Sequence, residues 1–524
     1  MTLFKEWVPN WLAKTILFTL LLPNMIMFFL PMANEDVAAG YYGIEPNDIQ
    51  FTISLYYAGF ASFYCLERRF YNYFTSKQYF IQFQLFQLLC CYLLFSSQIL
   101  LIVFIVRFVQ GMLFASAVNL YMSMAIRFMK SYRAKEVTYS LFFGMLLCTT
   151  SFNNLITADL IDQYNFDIVY KLSMVMFAVS VIIVLVCISS AKVFHRHTLI
   201  QLDMSSFILL AVILIGLGYL SVYGQQYYWF DSVKIIQVSI MVGLATLLFA
   251  IRQLTLKRPY IDFSIFKQKQ YLWGAMLLFF MYIERFSFTY VGSFYKSVLH
   301  MDPRHISYMF VFNLIGIIAG VALAAWHQIK QSNVIWLWMC GFVSLMIYHI
   351  CMTQMLANAG NESYYCIPLF AHGLGVGLIM VPTILFIISI VPYYLAPSAA
   401  AFGLIIRFLG YTTSTFLTKY FSVYHYNLHY NRFLDYINYN NQYYLDKINQ
   451  IKTYLGNNGL EEKTVPLVTQ KVFKTQLDNQ ILLRSIMDYY SLMIWFSMAI
   501  LFLLVCYYIR EKKVYVHFRP LLPI

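Results

Sequence analysis

Residues 99–126 read ILLIVFIVRFVQGMLFASAVNLYMSMAI, and this stretch decides the fold. It holds one charged residue, Arg107, and its apolar residues do not alternate with polar ones. A helix of this length rises about 42 Å, which is enough to cross the hydrocarbon of a bilayer. The lack of alternation excludes a strand of an outer-membrane barrel. The stretch therefore predicts a transmembrane helix.

Similar apolar runs recur along the chain, which is 61% hydrophobic and only 11% charged. Soluble domains carry about 25% charged residues, so this apolar surface must face lipid. We predict an all-α polytopic membrane protein with about fourteen spans, each near the length that a bilayer requires. The predicted spans are residues 14–33, 49–67, 79–97, 99–126, 137–158, 168–191, 204–223, 233–251, 271–292, 306–326, 334–355, 365–391, 397–423 and 488–509.

Lysine and arginine are distributed unevenly among the predicted loops. If the N-terminus lies inside, the inside loops carry most of the basic residues, whereas the first outside loop contains Glu35 and Asp36. Because basic loops stay on the cytoplasmic side, we expect a cell (inner) membrane protein with both termini in the cytoplasm. The net charge of +13 then reflects topology, and we expect the lipid bilayer and no nucleic acid as a partner.

Residues 425–487 interrupt the pattern, because they are polar and rich in Asn, Tyr, Lys and Gln. The topology puts them outside, between the last two spans, and they are too long for a tight turn. We expect partly helical structure. The segment is either a gate or docking surface for a periplasmic adaptor protein, or a solvated hairpin without a specific role.

Several polar side chains lie inside predicted spans, where they are costly unless they pair or face a cavity. Arg107, Gln110 and Gly111 put a charge, an amide and a small residue on one helix face. Arg407 lies inside span 13, between glycines that suit close helix packing. We expect Arg107 and Gln110 to serve proton coupling or translocation, and Arg407 to serve either that role or packing.

Glu284 is the carboxylate that lies well inside a predicted span, and Arg285 follows it. Neighbouring residues on a helix do not face each other, so the two should have different partners. Glu284 is either a proton-coupling group or part of a structural ion pair with an arginine of another helix. We expect Arg107 and Glu284 to be the charged groups of a central cavity.

The sequence contains no convincing metal or cofactor site. His195 and His197 lie in a basic loop without a third ligand nearby, which makes a poor metal site. Most cysteines fall within apolar runs and read as small buried hydrophobes. We therefore expect neither a metal nor a cofactor.

A polar residue followed by glycine recurs in two spans, as Gln110-Gly111 and as His372-Gly373. Each pair falls in the fourth span of a six-span half, if spans 7 and 8 are an insertion. Such repeated halves build alternating-access transporters, with the solute site at their interface. This predicts an N-terminal bundle (1–195), a two-span insertion (196–258) and a C-terminal bundle (259–524). Gly373, Gly375 and Pro382 suit helix packing or a hinge.

These segments resemble the fourteen-span drug/proton antiporter branch of the major facilitator superfamily, the EmrB/QacA-like exporters. Residues 107–111 look like the superfamily's span-4 motif, where the arginine is implicated in proton transfer, and residues 259–266 look like the branch's linker into span 9. The resemblance implies a major facilitator fold of two six-helix bundles plus two central spans. It also implies proton-coupled export of an amphipathic organic solute or drug, without a cofactor.

The chain departs from that pattern in two places. After span 2, Asn72 replaces the expected acid, Thr75 replaces a glycine, and Lys77 remains of the second basic group. The span-5 antiporter motif keeps Gly144 but lacks the glycines and proline that should follow. We expect Asn72, Lys77 and Gly144 to act in conformational gating in a divergent member. The same role is expected for Gly111, Gly373, Gly375 and Pro382.

Two alternatives stay open at this point. One is a transport-inactive relative that serves as a sensor or scaffold, as the altered motifs would allow. The other is a membrane-embedded glycosyl- or acyltransferase that uses Glu35 and Asp36 as a metal or acid/base site. We favour a transporter over an enzyme, because the later motifs would have no purpose in a transferase.

Overall fold

The structure is a computed structural model that describes residues 4–129, 133–190, 202–330, 332–357, 361–438, 440–458, 460–461 and 463–511. Within these residues helices joined by short connections make up the fold. They are α1 (Asn10–Ala33), α2 (Glu35–Tyr42), α3 (Pro46–Tyr73), α4 (Ser76–Ser96), α5 (Leu100–Met129), α6 (Ala134–Gln163), α7 (Asp167–Cys187), α8 (Met204–Tyr223), α9 (Val233–Thr255), α10 (Lys269–Phe286), α11 (Thr289–Ser297), α12 (Pro303–Ile329), α13 (Val334–Met355), α14 (Cys366–Ile390), α15 (Ala396–Leu434), α16 (Gln442–Asn457) and α17 (Val465–Glu511).

The predicted spans fall on helices, except that residues 271–292 comprise two helices, α10 and α11. Many apolar side chains of these helices are exposed on the outside of the bundle. In the described ranges, 12 helices are long and apolar enough to cross a membrane, so the chain is a multi-pass membrane protein. Helices α3 and α10 are not among these 12; α10 contains three charged residues, Lys269, Glu284 and Arg285. The count of about fourteen spans, which includes α3 and α10, stays a prediction.

Two groups of six helices repeat one packing arrangement. In the first group α3 packs on α5, α4 on α7 and α1 on α6; in the second, α12 packs on α14, α13 on α17 and α10 on α15. We call α1–α7 the N-terminal half and α10–α17 the C-terminal half. Helices α8 and α9 pack on each other, and α8 contacts α3 and α15 from both halves. The halves meet through α6 with α12 and α3 with α15.

Two glycines fix the correspondence between the halves. A Cβ on Gly111 of α5 would lie 1.9 Å from a backbone oxygen of α3. A Cβ on Gly373 of α14 would lie 2.1 Å from a backbone oxygen of α12. Helices approach this closely only where no side chain separates them. The two glycines are therefore equivalent, and so are the preceding residues Gln110 and His372.

The first helix of the N-terminal half is bent near its end. Phe29 has a non-helical backbone (φ −104°, ψ 16°) inside α1. Pro31 has no N–H, so the carbonyl of Met27 lacks its helical donor. This end of α1 consequently offers backbone oxygens to side chains of other helices.

The first helix of the C-terminal half is interrupted at the corresponding place, in contrast to the continuous span expected over residues 271–292. Helix α10 ends at Phe286 and α11 begins at Thr289. The Ser287 hydroxyl donates to the Glu284 carbonyl at 2.6 Å and competes with the helical hydrogen bonds. Broken helices at matching positions are typical of transporters that bind solutes near the membrane centre.

The polar segment 425–487 is largely helical in its described residues, as expected. Helix α15 has 39 residues and α17 has 47. Such helices are about 58 and 70 Å long, so both extend well past a 30 Å hydrocarbon layer. Helix α16 packs against α17. The outside location of this segment stays a prediction.

Candidate functional site

A cavity of about 650 Å³ lies between the two halves. Helices α3 and α6 line it from one side, and α10, α11, α12, α14 and α15 from the other. It reaches the end of the bundle where Asp36 and Lys296 are exposed. Its volume is typical of sites for small organic ligands. A reorientation of the halves would change the access to this cavity.

A chain of polar groups crosses the cavity from one half to the other. The Ser151 hydroxyl on α6 donates to Oδ1 of Asn313 on α12 at 3.1 Å. Nδ2 of Asn313 lies 2.9 Å from Nδ1 of His372, and Nε2 of His372 lies 3.2 Å from the carbonyl oxygen of Arg285. All four residues line the cavity.

Asn313 determines which nitrogen of His372 carries the proton. Its Nδ2 also donates to the Leu369 carbonyl at 3.1 Å, and this fixes the amide orientation because a carbonyl only accepts. Nδ1 of His372 must then accept from Asn313, so the proton lies on Nε2 and is donated to the Arg285 carbonyl. His372 is thus held as a neutral imidazole, and it takes up a carbonyl at the end of the interrupted α10.

Charged side chains from both halves surround the mouth of the cavity. Asp36 of α2 forms a salt bridge with Lys296 of α11. Lys419 of α15 donates to Oδ1 of Asn47 on α3 at 2.5 Å. Burial raises the pKa of Glu35 to about 7, although the charge of Lys419 acts in the opposite direction. These contacts connect the halves and must rearrange if the mouth closes or widens.

The lysines near Glu35 and Asp36 argue against the alternative that these carboxylates form the active site of a transferase. The carboxyl groups of Glu35 and Asp36 face lysines. Ammonium groups beside the carboxylates disfavour a bound cation. The geometry of the mouth therefore suits a gate better than a metal-dependent active site.

Beyond the cavity, away from its mouth, aromatic side chains of the two halves are in contact. The rings of Tyr57 and Phe408, from opposite halves, are 5.5 Å apart. Arg407 lies here, with its guanidinium 5.2 Å from the ring centre of Phe143 on α6. Beside it is a small, mostly apolar pocket of about 60 Å³. Arg407 thus contacts the other half deep in the interface and lies outside the main cavity.

Arg107 lies inside the N-terminal half and does not line the cavity. Its Nη1 donates to the Met27 carbonyl at 3.0 Å and to Oε1 of Gln110 at 3.1 Å, and its Nη2 donates to the Phe28 carbonyl at 3.1 Å. The Met27 carbonyl lacks a helical donor because of Pro31, so it can accept from the guanidinium. The prediction that Arg107 lines the central cavity is therefore wrong for this conformation. Arg107 therefore fastens α5 to the bent end of α1.

Glu284 lies in the interior of the C-terminal half, away from the main cavity. Its Oε1 accepts from the Ser497 hydroxyl at 2.9 Å, and its Oε2 is 4.0 Å from Nε2 of His349. Arg285 lines the cavity, with its guanidinium 5.8 Å from the Phe29 ring centre. The expectation that Glu284 and Arg285 have different partners is confirmed. The ionisable group nearest Glu284 is a histidine, in place of the arginine that sequence analysis considered.

The remaining sequence-predicted residues have structural contacts, and their roles in gating stay predictions. Lys77 donates to the Leu185 carbonyl at 3.0 Å and so joins α4 to the end of α7. A Cβ on Gly144 would lie 3.2 Å from Val321 across the interface between the halves. A Cβ on Gly375 would lie 2.8 Å from a backbone oxygen of α13.

The predictions for Pro382, Asn72 and the histidine pair His195 and His197 remain. Pro382 is buried within α14. The side chain of Asn72 lies outside the described residues, as do His195 and His197.

Sequence reasoning missed His349 as a partner of Glu284 and the site role of His372. Both histidines lie inside apolar spans, so the rule that singled out Glu284 would also have found them. Ser151 and Asn313 carried no such signal, because Ser and Asn are common interhelical contacts. Only the packing of α6 on α12 brings them together.

Several solved structures are similar to this chain. A crystal structure of the peptide transporter POT in complex with sulfate is 15% identical, with a TM-score of 0.51 over 78% of this chain and 88% of that chain. A POT family transporter in complex with a thioalcohol-conjugated peptide is 10% identical, with a TM-score of 0.56 over 93% and 96%. The human organic anion transporter MFSD10 (TETRAN) is 9% identical, with a TM-score of 0.51 over 78% and 94%. At these identities the likeness concerns the fold alone.

The sequence itself assigns the family. No curated protein sequence matches the chain. Residues 15–415 match the profile of the Major Facilitator Superfamily, and this range contains α3–α14 and both of the paired glycines. The chain therefore belongs to the Major Facilitator Superfamily.

Proposed function

We propose that this protein is a secondary active transporter that exports an amphipathic organic solute by alternating access, coupled to protons. The observation that carries the proposal is the cavity of about 650 Å³ enclosed by both halves. It is accessible from one end of the bundle, while aromatic contacts fill the interface between the halves beyond it. A protein whose two conformations differ by a few kcal/mol can exchange these roles when a solute or proton binds.

The lining supports a solute with both polar and apolar parts. Phe286, Phe288 and Tyr411 supply aromatic surface, while Asn313 and Arg285 supply hydrogen-bonding and cationic groups. Proteins of known structure with a similar fold include a peptide transporter, a nucleoside transporter and an organic anion transporter. Peptides, nucleosides and amphipathic organic anions are therefore the first solutes to test, together with amphipathic drugs.

The rearrangement needs two gates. Closing the mouth would strengthen contacts between the α2 end and α11, where Asp36 already pairs with Lys296. Opening the other end would separate Tyr57 from Phe408 and Arg407 from Phe143. Because basic loops stay inside, we assign the present mouth to the outer face of an inner membrane, with both termini cytoplasmic.

Glu284 is the proposed coupling group. Its Oε2 has only a distant partner in His349, so the carboxyl has a free site for a proton. The next residue in α10, Arg285, lines the cavity. Protonation of Glu284 would change its contacts with His349 on α13 and Ser497 on α17, and this would alter the position of Arg285.

Flux through proteoliposomes tests the proposal. The purified full-length protein is reconstituted, and movement of each candidate solute is measured with and without a pH gradient. We expect a gradient to drive net flux, and Glu284→Gln to abolish that net flux while solute exchange without a gradient persists. Glu362→Gln, at an exposed carboxyl, is the matched control.

Two outcomes would contradict the proposal. Unchanged gradient-driven flux in Glu284→Gln would remove this carboxyl from coupling. Binding of solutes without any movement across the bilayer would instead identify a transport-inactive sensor.

A further inference from the structure

Two histidines and one aspartate converge where α15 and α17 leave the bundle. His425 and His429 are one helical turn apart on α15, and Asp488 lies on α17. Nδ1 of His425 and Nε2 of His429 are each 2.8 Å from the same oxygen, Oδ2 of Asp488. The three ligand atoms lie within 4.8 Å of one another.

We propose that His425, His429 and Asp488 form a binding site for Zn²⁺ or a similar divalent transition metal. Zinc takes imidazole nitrogen and carboxylate oxygen at about 2.0–2.2 Å. Ligand atoms around such an ion are about 3.3 Å apart. The 2.8 Å separations between Oδ2 and each nitrogen would lengthen by about half an ångström to reach this spacing. The two imidazole nitrogens, which lie within 4.8 Å of each other, would adjust to the same spacing. The spacing of four residues on a helix brings two histidines onto one face, as in helical zinc sites.

The protons can be accommodated without charging either imidazole. In the metal-free cluster each ring nitrogen donates its N–H to Asp488. A neutral imidazole has a second nitrogen that can carry the proton instead. Tautomer exchange therefore frees Nδ1 of His425 and Nε2 of His429 as lone-pair ligands, while Asp488 is already an acceptor.

The cluster is rigid on its buried side and open to solvent on the other. The His429 side chain is 8% exposed, whereas that of Asp488 is 41% exposed. The ring of His425 stacks on Phe421 with 3.8 Å between centroids, which limits its rotation. The ion would enter beside Asp488, and water would complete a four-coordinate site, as in zinc sites with three protein ligands.

The location gives the site a structural consequence. Residues 435–464 connect the end of α15 to the start of α17 and form the middle of the polar segment 425–487. An ion coordinated by both helices would hold α15 and α17 together where the polar segment begins and ends. This role does not depend on which solute the cavity accepts.

Metal binding to the full-length protein tests the proposal. The protein is purified with an affinity tag that contains no histidine, stripped with a chelator and titrated with Zn²⁺, with Mg²⁺ as a comparison. We expect one equivalent of zinc by elemental analysis and a higher apparent Tm with Zn²⁺ only. Asp488→Asn and His425→Gln should weaken zinc binding at least about tenfold.

His300→Gln, at an exposed histidine elsewhere, is the control and should bind zinc like the unmodified protein. Size-exclusion profiles establish that each variant is folded. The proposal is overturned if the stripped protein takes up no zinc, or if folded Asp488→Asn and His425→Gln bind it as tightly as the control.

Discussion

The two halves hold their interrupted first helices with different side chains. In the N-terminal half Arg107 of α5 donates to the carbonyls of Met27 and Phe28 in α1. In the C-terminal half His372 of α14 donates to the carbonyl of Arg285 in α10. The helix pair is the same, because the glycines of α5 and α14 make equivalent contacts.

The difference lies in what else each donor contacts. Arg107 is enclosed by its own half and carries a permanent charge. His372 lines the cavity and is connected through Asn313 to Ser151 of the other half. The same helix packing thus places Arg107 as an anchor within the N-terminal half and His372 as a link between the two halves. Both halves therefore have a broken first helix, but the polar side chain that donates to its carbonyls determines whether the contact stays within one half or extends to the other.

The largest effects should come from the glycines that define the equivalence. A Cβ on Gly111 or Gly373 would lie about 2 Å from a backbone oxygen, so α5 or α14 must move away from its neighbour. Overpacking costs about 1–3 kcal/mol and occasionally more, and we expect Gly111→Ala and Gly373→Ala at or above the upper limit. The measurement is the yield of monodisperse protein and its apparent Tm.

Gly403→Ala is the control, because a Cβ there meets no atom within 4 Å. The two test variants should lose similar amounts of stability, and the control should lose little. If Gly373→Ala were tolerated while Gly111→Ala was not, the two halves would not be packed alike.

The sequence predicted the helical membrane fold well because a span is a local signal. The apolar stretch 99–126 corresponds to α5 within a few residues. The interruption after Phe286 was not predictable in this way, since His372, which supports it, is far away in the chain. Pro31 was visible in the sequence, but its consequence depends on the guanidinium of Arg107 arriving from α5.

The candidate site was predicted less well, for the same reason. Burial and pairing of Glu284 follow from its position in a span, whereas its partners His349 and Ser497 depend on the packing of α10 with other helices. The spacing of His425 and His429 was readable, but Asp488 joins them only through tertiary contact between α15 and α17.

An intermediate effect is expected when the anchor of the N-terminal half is removed. Arg107→Leu gives this position the residue found at its C-terminal equivalent, Leu369. It leaves the Met27 and Phe28 carbonyls without their donor, and unpaired buried acceptors cost about 1–3 kcal/mol. A lower apparent Tm and faster hydrogen exchange in residues 24–33 would measure this loss.

Arg107→Lys separates charge from geometry in the same assay. Lysine keeps the charge but lacks the planar fork that reaches two carbonyls together, so its stability should fall between the other two proteins. If Arg107→Leu were as stable as the unmodified protein, Arg107 would not be a structural anchor, and the contrast with His372 would fail.

The smallest effect concerns the mouth, where Glu35 is half-buried. Burial raises its pKa from 4.5 to about 7, so this conformation holds a proton that an exposed carboxyl would release. The sign follows by linkage: the contribution of Glu35 to this conformation is fully present below pH 4.5 and is lost as the pH rises through about 7. Accessibility of a cysteine introduced at Val37, measured from pH 5 to 9 on the full-length protein, should therefore change with a midpoint near 7.

Glu35→Gln should remove this pH dependence, because the amide keeps its hydrogen atoms throughout the range. Glu362→Gln, which alters an exposed carboxyl that does not line the cavity, should leave the midpoint unchanged. A midpoint that persists in Glu35→Gln would assign the titration to another group. In that case the titrating group would have to be sought deeper in the interface between the halves, and the link from His372 through Asn313 to Ser151 would be the first place to test.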